Sequence, residues 1–208
     1  MNKYIIFFFV LLGGLFSNNI NSFEIIEKSQ DKLNFTFNLD EIEFSTHLDY
    51  VTISSNSKGE TSEVGLPKLP QYSTHLVVDP SKSYDVEYEI INSYLLDNIN
   101  IIPNQNIVNG LESKDIESKD NAFYSNNVQY PELNVTISEP LIMRDLVIVS
   151  VSVVPFSFNP SNKTLEVYEN IQISLKEVGE REDNRRRVLP KSRVFEKIYK
   201  NKILNYNE

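Results

Sequence analysis

The sequence predicts an all-β fold, a β-sandwich of roughly ten antiparallel strands followed by a short C-terminal helical tail. Three observations carry this expectation. Aromatic residues make up 11% of the 208, all of them Tyr or Phe, and β-branched residues are frequent, a composition that suits strands. Several runs alternate apolar and polar residues with period two, which places one set on a core face and the other in water. Glycine is scarce, six residues against nine prolines, so Asn, Asp and Ser supply most of the turns.

The first segment is not part of the fold. Lys3 is a minimal charged start, and Tyr4 to Phe16 form an apolar run before the chain turns polar. At about 13 residues the run is short of the roughly 20 that a membrane span needs. Residues 1–22 therefore read as a signal peptide, with cleavage near Ser17 or Ser22, and the mature chain is expected to be secreted without a stable membrane span. No cysteine is present, so no disulfide can staple the exported domain. Roughly 180 remaining residues are enough for a hydrophobic core to hold the fold alone.

Residues 23–178 read as the sandwich. Phe23 to Glu27 opens it. Leu33, Phe35, Phe37 and Leu39 then alternate with Lys32, Asn34, Thr36 and Asn38, and Tyr50 to Ser54 is a third strand. Ser55 to Glu63 is a polar loop leading into Gly65-Leu66-Pro67-Lys68-Leu69-Pro70, where each proline fixes its own φ and extends the residue before it. Tyr72 to Val78 and Tyr84 to Ile91 flank the turn Asp79-Pro80-Ser81-Lys82 and read as a β-hairpin, or at least as two adjacent strands. Asn104 to Tyr130 is a polar excursion with few apolar anchors, long for a compact domain and of the kind that often carries function. Leu133 to Ser138 is another strand. Leu146 to Phe158 is apolar on both parities, as for a central strand covered on both faces. After the turn at Asn159 to Asn162, Thr164 to Tyr168 and Ile171 to Leu175 complete a meander, and no helix is expected within the sandwich.

Residues 179–191 form a charged linker ending in Arg185-Arg186-Arg187. In 192–208, Ser192 can cap a helix whose Val194, Phe195, Ile198, Tyr199 and Leu204 gather near one face. That stripe has little chain of its own to pack against.

Chemistry is excluded more readily than assigned. A net charge of −9 and a pI of about 4.9 argue against a nucleic-acid partner. Without Cys there is no thiol nucleophile, and His47 and His75, far apart in sequence, form no metal spacing. No phosphate loop, Gly-x-Ser-x-Gly elbow, calcium loop or glycosidase carboxylate pair stands out. No catalytic residue, metal or cofactor is expected.

A set of weak motifs is more specific in its order. Gly65, Pro67, Leu69 and Pro70 precede a strand ending at Leu76-Val77-Val78-Asp79-Pro80. Then come Tyr130-Pro131, Arg144-Asp145, and Pro155-Phe156-Ser157-Phe158-Asn159-Pro160 with Thr164 to Tyr168 behind it. Phe195 to Tyr199 and Leu204-Asn205-Tyr206 follow. From Glu63 to Tyr206 the chain thereby resembles the N-terminal propeptide domain of gingipain-type cysteine peptidases. The resemblance implies a non-catalytic partner of a gingipain-like cysteine peptidase domain, in cis or in trans. Such a propeptide holds the peptidase latent during export, assists its folding and is then cut away. No peptidase follows within these residues, so the expectation is a truncated precursor or fragment, with a stand-alone inhibitor as the other possibility. Inhibition calls for a basic side chain in the specificity pocket, and Lys114 and Lys119 in the long excursion are the candidates. Arg185, Arg186 and Arg187, basic and set in a linker, are the candidate processing site. A secreted adhesion or binding module of the same architecture is the alternative.

Overall fold

Alternation in the sequence becomes two facing antiparallel sheets in the computed structural model, which describes residues 22–29, 31–57, 59–108, 111–112, 118–182, 189 and 193–206. In chain order the strands are β1 (Phe23–Lys28), β2 (Lys32–Asn38), β3 (Ile42–His47), β4 (Tyr50–Ser55), β5 (Gly59–Glu60), β6 (Pro70–Val77), β7 (Lys82–Leu96), β8 (Ile107–Val108), β9 (Leu111–Glu112), β10 (Val135–Ile137), β11 (Leu141–Met143), β12 (Leu146–Val153), β13 (Phe156–Asn159) and β14 (Thr164–Glu180). Two helices, α1 (Asn121–Ser125) and α2 (Arg193–Lys202), complete the order.

The long strand β14 organises the first sheet. It pairs with β7 along one side, and with β13 and then β2 along the other, and β1 lies outside β2. Register builds apolar rows across this sheet: Leu33, Leu175 and Val86; Phe35, Ile173 and Tyr88; Phe37, Ile171 and Ile90. The second sheet runs β10-β12-β6-β5, with β11 also on β12. Its inward residues Tyr72, Leu76, Val149, Val151 and Val153 close on Phe35, Phe37, Ile171 and Ile173, most of them with no exposed surface. A second cluster, with Ile53, Leu69, Ile101, Phe156, Phe158 and Leu165 at its centre, fills the end of the sandwich under the β3–β4 hairpin.

The sandwich is as the alternation predicts, but several connections differ. The turn after β6 does not close a hairpin. β6 lies in one sheet and β7 in the other, so Asp79 to Ser81 carries the chain across the core. The Asp79 carboxylate accepts from the Ser81 N–H at 2.8 Å and fixes that crossing locally, while β7 gains the far longer β14 as partner. Thr164–Tyr168 and Ile171–Leu175 are one strand rather than two, with a bulge near Asn170 absorbing the break in alternation. Leu146–Phe158 is conversely two strands in different sheets. Pro155, with no N–H to give a ladder, stands at the break, so the apolar residues on both parities reflect a change of sheet. Cover on both faces is real only around Ile148, which the C-terminal helix buries from outside. Strand β3, exposed on nearly every residue, offers only Ile42 and Phe44 as alternating apolar positions, too short a run to reveal it. The sheet also runs on to Glu180, into the segment read as linker.

Candidate functional site

The Gly-x-Pro-x-Leu-Pro segment is the root of the long excursion. Gly65 has φ +84°, a left-handed conformation that glycine adopts without a Cβ penalty. Its N–H donates to the Asn104 carbonyl at 2.9 Å, and its own carbonyl accepts from the Asp120 N–H at 3.0 Å, so both ends of the excursion meet at this one residue. Space is short there as well, since a Cβ on Gly65 would lie 3.0 Å from the Asp120 nitrogen. Pro67 presents its carbonyl to the Thr61 hydroxyl at 2.7 Å, and Leu69 is fully buried, its N–H on that same hydroxyl at 3.0 Å. Pro70 opens β6 opposite Glu60. Gly65→Ala is therefore expected to cost about 1–3 kcal/mol and to loosen the excursion. Thermal unfolding together with limited proteolysis between residues 105 and 120 checks it.

Two buried amides complete the root. The Asn104 side chain donates to the carbonyls of Leu66 at 3.3 Å and Pro67 at 3.4 Å. Gln105 bridges the neck: its Nε2 donates to the Pro103 and Ser118 carbonyls at 2.8 and 3.0 Å, and its Oε1 accepts from the Ser118 N–H at 2.9 Å. Asp120 caps α1 by accepting from the Phe123 N–H at 2.9 Å. This helix within the excursion corrects the expectation of none. Its Phe123 and Tyr124 pack into the end cluster, and the Tyr124 hydroxyl, raised in pKa by burial, donates to the Ile101 carbonyl at 3.0 Å. These anchors escaped a reading that looked for apolar residues, because Asn104 and Gln105 are polar and buried at once. Asp120, standing one residue before a helix, carried the detectable signal.

The proposed site residues fall in different places. Lys119 sits at the root, its ammonium 4.6 Å from the Tyr124 ring centre and 5.6 Å from that of Tyr50, a cation–π seat that holds the side chain against the sandwich. Lys114 lies outside the described residues, as do Arg185, Arg186 and Arg187. Asn159 shapes its turn by accepting from the Ser161 and Asn162 N–H groups at 3.1 and 3.2 Å, and Pro160 follows at the corner.

Arg144 and Asp145 have a role the sequence did not disclose. They form the β11–β12 turn, with Arg144 at φ 60°. The Arg144 guanidinium lies over the Phe195 ring at 4.6 Å, and the buried Asp145 carboxylate accepts from the Tyr199 hydroxyl. Burial first, and then this carboxylate, push the Tyr199 phenol up to about 12. Helix α2 is thus seated on the outer face of the second sheet, where Tyr199 and Ile203 bury Ile148. Beyond it the chain adds to the edge of β6. The Leu204 N–H donates to the His75 carbonyl at 2.8 Å, and the Asn205 amide both accepts from the Val77 N–H at 2.8 Å and donates to its carbonyl at 3.0 Å. Of the apolar stripe of the tail, Phe195, Tyr199 and Leu204 pack against the sandwich, while Val194 and Ile198 stay exposed. His75, half-buried beside the tail, has its pKa lowered by desolvation and by the charge of Lys202. Among the described residues no group of His, Asp and Glu gathers as a metal site, and no helix is long and apolar enough to cross a membrane.

Two facing sheets with one rooted excursion and a clamped tail define a β-sandwich domain, and comparison with known proteins gives its kind. The family model Propeptide_C25 matches residues 18–208. The chain belongs to this propeptide family. Gingipain R1 of Porphyromonas gingivalis is 29% identical over 196 residues, which are 90% of this chain and 19% of that protein. Gingipain R2 of the same species is 28% identical over 187 residues, 86% of this chain and 25% of that protein. The chain thus spans about a quarter or less of these relatives. Among solved structures, the complex of P. gingivalis RgpB pro- and mature domains contains a chain that superposes with a TM-score of 0.71 at 23% identity, covering 90% of this chain and 99% of that one. The structure of gingipain K concerned with zymogenic latency matches with a TM-score of 0.62 at 18% identity, over 76% and 92%. At these identities the structural likeness is one of fold. The match of the family model extends through the residues read as linker and tail.

Proposed function

We propose that this chain is the propeptide that keeps a gingipain-like cysteine peptidase latent and assists its folding, with the excursion between Gln105 and Ser118 laid across the cleft. The observation that carries the reading is the neck, where one buried glutamine, fixed to Pro103 by one hydrogen bond, holds the two ends of a polar loop together by two more to Ser118. A loop ordered at its base loses less entropy on docking, which is how a short segment becomes a tight inhibitor. Lys119 is engaged at the root, so Lys114 is the basic side chain that enters the specificity pocket. The Arg185–Arg187 segment is where the chain is cut, and residues 1–22 direct export, giving a secreted protein. Membership of a propeptide family disfavours the free-standing adhesion module.

The test is inhibition of the mature domain of P. gingivalis RgpB, followed by hydrolysis of a peptide substrate of that enzyme. The purified chain inhibits, and Lys114→Ala raises the inhibition constant at least about 100-fold, the scale of a buried charged anchor at the centre of an interface. Lys119→Ala gives a much smaller change together with a lower melting temperature. A wild-type chain that leaves the peptidase fully active overturns the reading.

A further inference from the structure

The β3–β4 hairpin ends in an unusual residue. Leu48 and Asp49 form the turn between the paired residues His47 and Tyr50, and Leu48 has φ 54°. At that φ a Cβ crowds the backbone, and hairpin tips of this kind ordinarily carry Gly or Asn. Among the described residues Leu48 joins none of the apolar clusters, and at 74% exposed it is among the most exposed of the large apolar residues. Folding alone therefore favours a different residue here, and strain held at an exposed position points to binding.

The place of the tip indicates the partner. Two residues on, the Tyr50 ring receives the Lys119 ammonium, which belongs to the root of the excursion. The Asn100 side chain donates to the Asp49 carbonyl at 3.0 Å, and the Val51 N–H donates to the Asn100 carbonyl at 2.7 Å, so the hairpin is tied to the segment that leads into Asn104 and Gln105. The tip and the loop root thus form one continuous surface. We propose that Leu48 is an apolar knob that seats in a hydrophobic hollow of the peptidase domain beside its cleft, a second contact next to the excursion. This rests on the latency reading above, and it assigns a part of the contact that does not enter the active site.

The expected signature is a trade between stability and binding. Leu48→Asn and Leu48→Gly relieve the backbone strain and raise the melting temperature by about 2–3 °C, while weakening inhibition of the RgpB mature domain about tenfold, the effect of losing one anchoring apolar side chain. Leu48→Met, which keeps an apolar knob, inhibits as the wild type does. Equal inhibition by wild type, Leu48→Asn and Leu48→Gly overturns the knob and leaves the latency reading standing. A wild type that does not inhibit overturns both. Dimerisation of the free chain that Leu48→Asn abolishes assigns the tip to a second copy and overturns the peptidase as its partner.

Discussion

Tyr199→Ala detaches the C-terminal helix from the sandwich, at an expected cost of about 3–5 kcal/mol, the range for deleting a buried aromatic ring. The ring is 1% exposed and packs between those of Phe195 and Tyr206, with centres 6.1 and 5.3 Å away. Its loss opens a cavity against Ile148 and leaves the buried Asp145 carboxylate without its donor, and an orphaned buried acceptor adds its own desolvation penalty. A helix of ten residues does not persist in water without packing. Local melting of 193–206 therefore precedes global unfolding, read as fast hydrogen exchange in that segment. Tyr199→Phe keeps the ring and loses only the hydroxyl, so it falls between. The sign with pH follows from the raised phenol. Its folded pKa lies above the unfolded value of about 10, so its contribution is intact below pH 10 and is lost as pH climbs from there through about 12. Tyr199→Phe lacks that part of the alkaline loss. Unchanged exchange protection of the tail in Tyr199→Ala would refute the clamp.

The second large effect is at Phe158, which has no exposed surface. Its backbone pairs in both directions with Tyr130, at 3.0 and 2.9 Å, and its ring lies 6.3 Å from that of Tyr124. Phe158 thus joins the end cluster to the helix and the return segment of the excursion. Phe158→Ala is expected to cost about 3–5 kcal/mol out of a total of about 5–15, a fall in melting temperature on the order of 10 °C. Because the ring supports the loop root, the same variant becomes sensitive to proteolysis near 121–130 well below its melting temperature. A drop in melting temperature without that local sensitivity would show that the root is held independently of the end cluster.

The sheets were readable because their residues answer to a local rule. Phe35 and Phe37, or Val86 and Tyr88, face inward by parity alone, and neither needs its partner to be known. Partner choice is a different matter. β6 and β7 look like a hairpin because six residues separate Leu76 from Ser83 with a proline turn between, yet β7 pairs along nearly the whole of β14. The break at Pro155 shows the same limit, since period-two counting cannot tell a covered strand from a strand that changes sheets. At the loop root the signal was inverted. By composition Asn104, Gln105 and Asp120 look like parts of a solvated excursion, whereas their side chains supply the bonds that an irregular backbone lacks. Arg144 and Asp145 were visible as a motif but silent in purpose, because their partners Phe195 and Tyr199 stand about fifty residues downstream.

The two halves of β7 meet solvent differently. Among the described residues this strand pairs with β14 alone, so its outer edge keeps a row of open N–H and C=O groups. From Lys82 to Glu89 that edge carries Asp85, Glu87 and Glu89, and like charges repel an approaching strand. From Ile90 to Leu96 no charge remains, and Ile91 and Leu95 lie open at 47% and 59%. Colloidal behaviour therefore depends on the chain's overall charge of −9 rather than on local guarding. Acidification toward the pI of about 4.9 removes that repulsion, and stacks seeded along the unguarded half then limit the concentration at which the free domain stays in solution.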